Sequence, residues 1–195
     1  MGVGELIEHI RALYVADLQR AFESSGEVHP EPVVSDGSRG VVREGALRLP
    51  SRCDGIAITD GVAASFAVNS EGVLGFEPIE FAWGEDLHVS LTPFCWDFAE
   101  FEVPTAGTRN LAENLTDWFE RWFSRAANAE APANSEPGVE GGLVGALHSL
   151  SGVHRNGEGS CFQVDFGSAP LACFEDLLDV LSASQARSVT VREAI

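Results

Sequence analysis

In the stretch NLAENLTDWFERWF, Leu111, Leu115, Trp118, Phe119, Trp122 and Phe123 recur at i, i+4, i+7, i+8, i+11 and i+12. That spacing puts all six on one face of an α-helix. Asn110 and Glu113 read as a capping box at its start. Each such side chain gains about 1.5–3 kcal/mol on leaving water, so the helix must dock on an equally broad apolar surface.

The preceding stretch LTPFCWDFAEFEV, residues 91 to 103, supplies a candidate. Under strand periodicity Phe94, Trp96 and Phe98 share one face, and Cys95, Asp97, Ala99 and Phe101 share the other. Phe94, Trp96 and Phe98 are expected to point inward and meet the helix that starts at Asn110. The alternative is a ring-stacking groove, with Trp83 and Trp96 as its candidate binding residues. It requires at least two of Trp83, Trp96, Trp118 and Trp122 to be exposed together.

Around this pair the chain alternates between two periodicities. Residues 5–23 place Leu6, Ile10, Leu13, Tyr14, Leu18, Ala21 and Phe22 at helical spacing, and SSGEVHPEP then breaks the pattern with turn formers and two prolines. From Val41 to Val103, short β-like runs punctuated by Gly or Asp suggest an antiparallel meander. After residue 142 come a strand LVGALHSL, a turn, a strand SCFQVDF, a helix APLACFEDLLDVLSA and a strand SVTVRE, a ββαβ order. The fold class expected is α+β, with antiparallel sheets packed on amphipathic helices and a C-terminal ββαβ unit. The expected organisation is an N-terminal α+β lobe over 1–127, a Pro-, Gly- and Ala-rich linker or long loop over 128–142, and a ββαβ lobe over 143–195 packed against the first.

Charge narrows function more than it narrows fold. Thirty acidic groups against 12 basic ones give a net charge of −18. Such a field repels phosphate backbones over about 8 Å at physiological salt, whereas nucleic-acid binders need a basic stripe. No nucleic-acid partner is expected. All 12 basic residues are Arg, and the absence of Lys excludes P-loop, protein-kinase, pyridoxal and Ser-x-x-Lys chemistries, each of which needs one. MGVGELIEHIRAL has neither the basic nor the apolar region of a secretory signal, and no apolar run approaches the roughly 20 residues of a membrane helix. The widely spaced Cys53, Cys95, Cys161 and Cys173 read as reduced thiols. A cytoplasmic protein without a membrane partner is expected.

One pair of residues suggests chemistry. Asn156-Gly157 is the favoured couple for a two-residue type I′ hairpin. With those two as the turn, His148 falls directly across from Asp165, where a carboxylate can orient an imidazole as a general base. His148 and Asp165 are therefore the candidate catalytic residues. Ser149 and Ser151 fall on the opposite face, and Ser168, in DFGSAP, reads as a helix N-cap with Pro170 in the first turn. Asp86 and His88 alternate onto one strand face but lack the further ligands that zinc needs, so no metal is expected. GVEGGLVG has no dinucleotide-binding spacing, and no cofactor is expected.

Because no complete catalytic constellation emerges, the leading expectation is a non-catalytic acidic interaction protein that binds or neutralises a basic protein partner in the manner of an immunity protein. The alternative is a hydrolase-like enzyme using His148 and Asp165 in a cleft between the lobes.

Overall fold

The aromatic stretch does not stay in one phase. In the computed structural model, which describes residues 2–37, 40–70, 72–106, 108–129, 143–157 and 159–194, Phe94 and Trp96 are fully buried while Phe98 is 50% exposed. The cause is a turn in which the Phe98 N–H donates to the Cys95 carbonyl at 3.2 Å. A strand begins only at Ala99, so Ala99, Phe101 and Val103 become the buried set. Both parity classes of the stretch thus reach the core, one on each side of the turn. The expectation that Phe98 points inward is corrected.

The strands are β1 (Glu27–Pro30), β2 (Arg43–Glu44), β3 (Leu49–Pro50), β4 (Gly55–Thr59), β5 (Val62–Phe66), β6 (Ile79–Trp83), β7 (Leu87–Leu91), β8 (Ala99–Pro104), β9 (Ser149–Leu150), β10 (His154–Asn156), β11 (Gly159–Asp165) and β12 (Ser188–Glu193). The helices are α1 (Val3–Ser24), α2 (Leu111–Ala129) and α3 (Leu171–Ala183). The fold is α+β. A seven-stranded sheet runs β10-β11-β8-β12-β7-β6 with β9 beside β11, a three-stranded sheet runs β1-β4-β5, and β2 pairs with β3. The C-terminal ββαβ unit is present, and its last strand lies between β7 and β8, which a simple meander would have left adjacent. β12 is parallel to β7 and antiparallel to β8. The two regions expected as lobes therefore share one sheet. Of the expected linker, residues 128–129 close α2 and 130–142 lie outside the described residues.

Strand alternation makes the large sheet two-faced. Phe162, Phe101, Val191, Leu91 and Ile79 pair in a row across five strands, and all but the edge residue Ile79 are buried. The adjoining row alternates Gln163, Glu100 and Arg192 on the other face, where Arg192 bridges Glu100 at 2.7 Å and Glu102 at 3.1 Å.

The helices cover the apolar face. Phe174 of α3 stacks on Phe94 and Trp96 with ring centroids 6.1 Å from each, while Phe166 stacks on Trp96 at 4.5 Å and meets Trp118 edge-on at 6.4 Å. On α2, Leu111, Leu115, Trp118, Phe119 and Trp122 are buried as their spacing requires. The capping box does not form there as expected: Asn110 has φ +51, in the left-handed region, and its carbonyl accepts from the Asn114 N–H at 2.9 Å. α2 leans on α3, with the Trp122 indole N–H donating to Asp176 at 2.7 Å. On α1 the buried stripe takes in Ile7 and Val15, whereas Leu13 is 44% exposed.

Candidate functional site

His148 sits just before β9, where the chain is held from both sides. Its N–H donates to the Asp165 carbonyl at 3.0 Å, and its carbonyl accepts from the Arg52 N–H at 3.0 Å. The hairpin register differs from the expected one. Asn156 is a strand residue paired with Gly159, and Gly157, with φ +60, lies in the turn. Asp165 pairs with Ser149, one residue off the register that the β10 pairing would extend, and His148 reaches it from the end of the ladder: Nδ1 lies 3.5 Å from Asp165 Oδ2.

The imidazole has closer company. His148 Nε2 lies 2.9 Å from Glu31 Oε1, and Nδ1 lies 3.2 Å from Asp54 Oδ1. Nδ1 sits between the Asp54 and Asp165 carboxylates without a well-aligned hydrogen bond to either. His148 is 1% exposed and Glu31 is fully buried, while the Asp165 side chain keeps 27% exposure.

Glu31 is the hub of the cluster. Oε1 also accepts from the Ser168 N–H at 3.0 Å, and Oε2 accepts from the Ser168 hydroxyl at 2.7 Å and the Val144 N–H at 2.9 Å. Its own N–H donates to the Asp54 carbonyl at 2.8 Å, and its carbonyl accepts from Arg52 Nη1 at 2.7 Å. With φ +46 it holds a left-handed backbone between Pro30 and Pro32, which an L-residue adopts at a cost of about 1–2 kcal/mol. Asp54 is tied in the same way. Oδ1 accepts from the Tyr14 hydroxyl and Oδ2 from the Val68 N–H, both at 2.6 Å.

Gly167 makes the cluster possible. Its φ is +52, and a Cβ there would stand 2.2 Å from His148 Cδ2 and 2.6 Å from the Ala146 carbonyl oxygen. Its carbonyl accepts the Trp96 indole N–H at 3.0 Å, joining the aromatic core to the polar cluster.

These neighbours set the protonation states. Desolvation alone would lower the His148 pKa, but the charge of Asp165 and the close approach of the ring to the Asp165, Asp54 and Glu31 carboxylates outweigh it and raise it well above 6.5. Desolvation would raise Glu31 and Asp54, yet both are held below their ordinary values, chiefly by their contacts with His148. Asp165 is raised by desolvation against the pull of His148. Burial, with the charges of Asp165 and Asp54, raises Tyr14 and keeps it a phenol that donates.

An imidazolium facing carboxylates at both nitrogens has no lone pair to accept a proton. The order of groups also differs from a nucleophilic relay, in which the imidazole stands between hydroxyl and acid. Here Glu31 stands between Ser168 and His148, so the imidazole has no access to the hydroxyl proton. Ser168 is not the N-cap of α3 either: Pro170 takes that position, and the Ser168 hydroxyl accepts the Ala146 N–H at 3.0 Å while donating to Glu31. The arrangement clamps α1, the ends of β1 and β4, the segment before β9 and the β11–α3 turn together.

The remaining candidates are dispersed. Trp96 is buried, which removes it as a stacking residue, and Trp118 and Trp122 are buried with it. Trp83 is half-buried on β6 and donates to Asp179 at 2.7 Å. Asp86 pairs with Arg187 at 2.6 Å, and His88 lies 3.5 Å from Glu80. Among the described residues no group of three His, Cys, Asp or Glu is arranged to hold a metal ion, and no helix is long and apolar enough to cross a membrane. A groove of about 270 Å³ beside the cluster is lined by Asp97, Phe98, Ser149, Ser151, Gln163 and Asp165 among others. Asp165 is the one cluster carboxylate that reaches it.

Nothing in the residue pattern marks Glu31 or Asp54 as partners of His148, and Tyr14 and Ser168 read there as a core residue and a helix cap. Glu31 lies within a turn-forming run, and only its place between two prolines marks it. No protein-family model, curated protein or solved structure matches the chain.

Proposed function

We propose that this chain is a non-catalytic, acidic cytoplasmic protein that binds a basic protein partner by electrostatic complementarity, as an immunity protein neutralises its toxin. The observation that carries the reading is the distribution of charge. Arg11, Arg20, Arg121, Arg187 and Arg192 are each paired with a carboxylate of the same chain. Glu113, Asp117 and Glu120 meanwhile recur along an exposed face of α2, and Glu77, Glu80 and Glu85 are exposed on and around β6. With a net charge of −18, that surplus steers a cationic surface toward the protein and speeds encounter. The enclosure of His148 favours this reading over a hydrolase, because the ring has neither access to solvent nor a free lone pair.

Titration calorimetry with a basic globular protein, lysozyme as the probe, tests the reading across a series of ionic strengths. Association that weakens steadily as salt rises is expected. Binding that ignores salt, or no binding at low salt, contradicts it.

A further inference from the structure

The groove of about 270 Å³ beside the buried cluster carries charge of one sign: Glu44, Asp97 and Asp165 stand on it, and neither Arg nor His is among its lining residues. Their commitments differ. Both oxygens of Asp97 are taken, by the Ser70 N–H and hydroxyl. Asp165 accepts the Gly167 N–H at Oδ1 and meets His148 Nδ1 at Oδ2 without a well-aligned hydrogen bond. Its side chain keeps 27% exposure, whereas His148 behind it is sealed. Glu31 and Asp54 stand behind it too, so three carboxylates share one imidazolium and the cluster presents net negative charge to the groove.

A ring shares the same groove. Phe98 is the one exposed phenylalanine among the described residues, and the turn that bonds its N–H to the Cys95 carbonyl holds it out of the core and on the groove. Leu49 and Leu150 add apolar wall. Ser149, directly across the ladder from Asp165, sets a hydroxyl close to that carboxylate.

We propose that this groove seats an arginine side chain of the basic partner, its guanidinium lying on the Phe98 ring and donating to Asp165, an inference that rests on the electrostatic reading above and names where it acts. Charge complementarity selects a cation. The ring selects among cations: a guanidinium is planar and weakly hydrated, so it stacks on an aromatic face and still donates in its own plane, whereas an ammonium is a strongly hydrated point charge. The aliphatic stem of an arginine finds apolar surface on Leu49 and Leu150. Size agrees as well, because the groove falls below the roughly 300–1,000 Å³ of pockets for drug-sized ligands and suits one side chain.

NMR titration with N-acetyl-arginine amide tests the site without the partner. The backbone amides of Ser149, Ser151 and Gln163 are expected to shift saturably. The neutral isostere N-acetyl-citrulline amide is expected to leave them unmoved, and N-acetyl-lysine amide to bind more weakly. Asp165→Asn is expected to raise the dissociation constant about tenfold and Phe98→Ser about fivefold, with circular dichroism showing that each variant is folded. Phe98→Ser keeps the test decisive even where Asp165→Asn disturbs His148. No shift with the arginine amide, equal binding of the citrulline or lysine amide, or a folded Phe98→Ser variant that binds as tightly as wild type would overturn the proposal. Salt-sensitive lysozyme binding that is unchanged in Phe98→Ser would overturn the site and leave the electrostatic reading standing. Arginine amide bound in the groove with no lysozyme binding would uphold the guanidinium site and contradict that reading.

Discussion

Nε2 of His148 lies 2.9 Å from Oε1 of Glu31, across 117 residues of chain, with both side chains sealed from solvent. The pair fastens the end of β1 to the segment leading into β9. Breaking a buried pair by removing one partner strands the other charge and costs about 3–5 kcal/mol. His148→Ala is therefore expected to lower the urea midpoint by that amount of stability with little change in slope. A double-mutant cycle between His148 and Glu31 is expected to return a large favourable interaction energy. A loss near zero would show that the ring is not a structural cation.

Stability should depend on pH in a window set by the same groups. The folded pKa of His148 lies above its ordinary 6.5, so its contribution is complete below 6.5 and fades as pH rises toward the raised value. Glu31 and Asp54 are lowered from 4.5 and 3.8, so theirs is complete above those values and fades as pH falls through the lowered ones. Asp165, raised from 3.8, acts in the opposite sense on the acid side, because its ionisation favours the unfolded chain. Thermal unfolding is expected to show greatest stability between about pH 4.5 and 6.5. The decline between pH 6.5 and about 8 should be smaller in His148→Gln; above it the thiols of Cys53, Cys95, Cys161 and Cys173 and the Tyr14 phenol, all raised in the fold, add a loss of their own.

Gly167→Ala combines two penalties. The left-handed φ of +52 costs an L-residue about 1–2 kcal/mol, and the new methyl would meet the His148 ring and the Ala146 carbonyl well inside van der Waals distance. The variant is expected to lose more stability than the backbone term alone, measured by chemical denaturation. It should also weaken the Trp96 hydrogen bond to the residue 167 carbonyl, seen as a change in near-UV circular dichroism.

Two phenylalanines four residues apart should behave oppositely. Phe94 is fully buried and stacks on Phe174, whereas Phe98 is half exposed on the groove beside Asp165. Phe94→Ala is expected to cost about 3–5 kcal/mol, and Phe98→Ser no more than about 0.5 kcal/mol.

These contrasts mark what residue patterns could reveal. The helical repeat from Leu111 to Trp122 identified its buried face because the signal lies within one element. The fate of Phe98 was illegible because one turn, at Cys95, reversed the phase of an otherwise regular alternation. The contact of His148 with Asp165 was approached through a hairpin whose turn lies one residue later than Asn156-Gly157 suggests, with the ring arriving from the ladder's end. Glu31, Asp54 and Tyr14 could not be found at all, because their partners are distant in sequence and a carboxylate beside prolines looks like any surface turn. The separation of β7 from β8 by β12 was hidden for the same reason, since strand order is decided by long-range pairing.

The account rests on His148 being an enclosed cation rather than a base, and NMR titration of the imidazole carbon and nitrogen shifts tests this most directly. His148 is expected to show the shifts of an imidazolium at pH 7, and to hold that proton less firmly in Glu31→Gln. A His148 ring that is neutral at pH 7 would contradict the account.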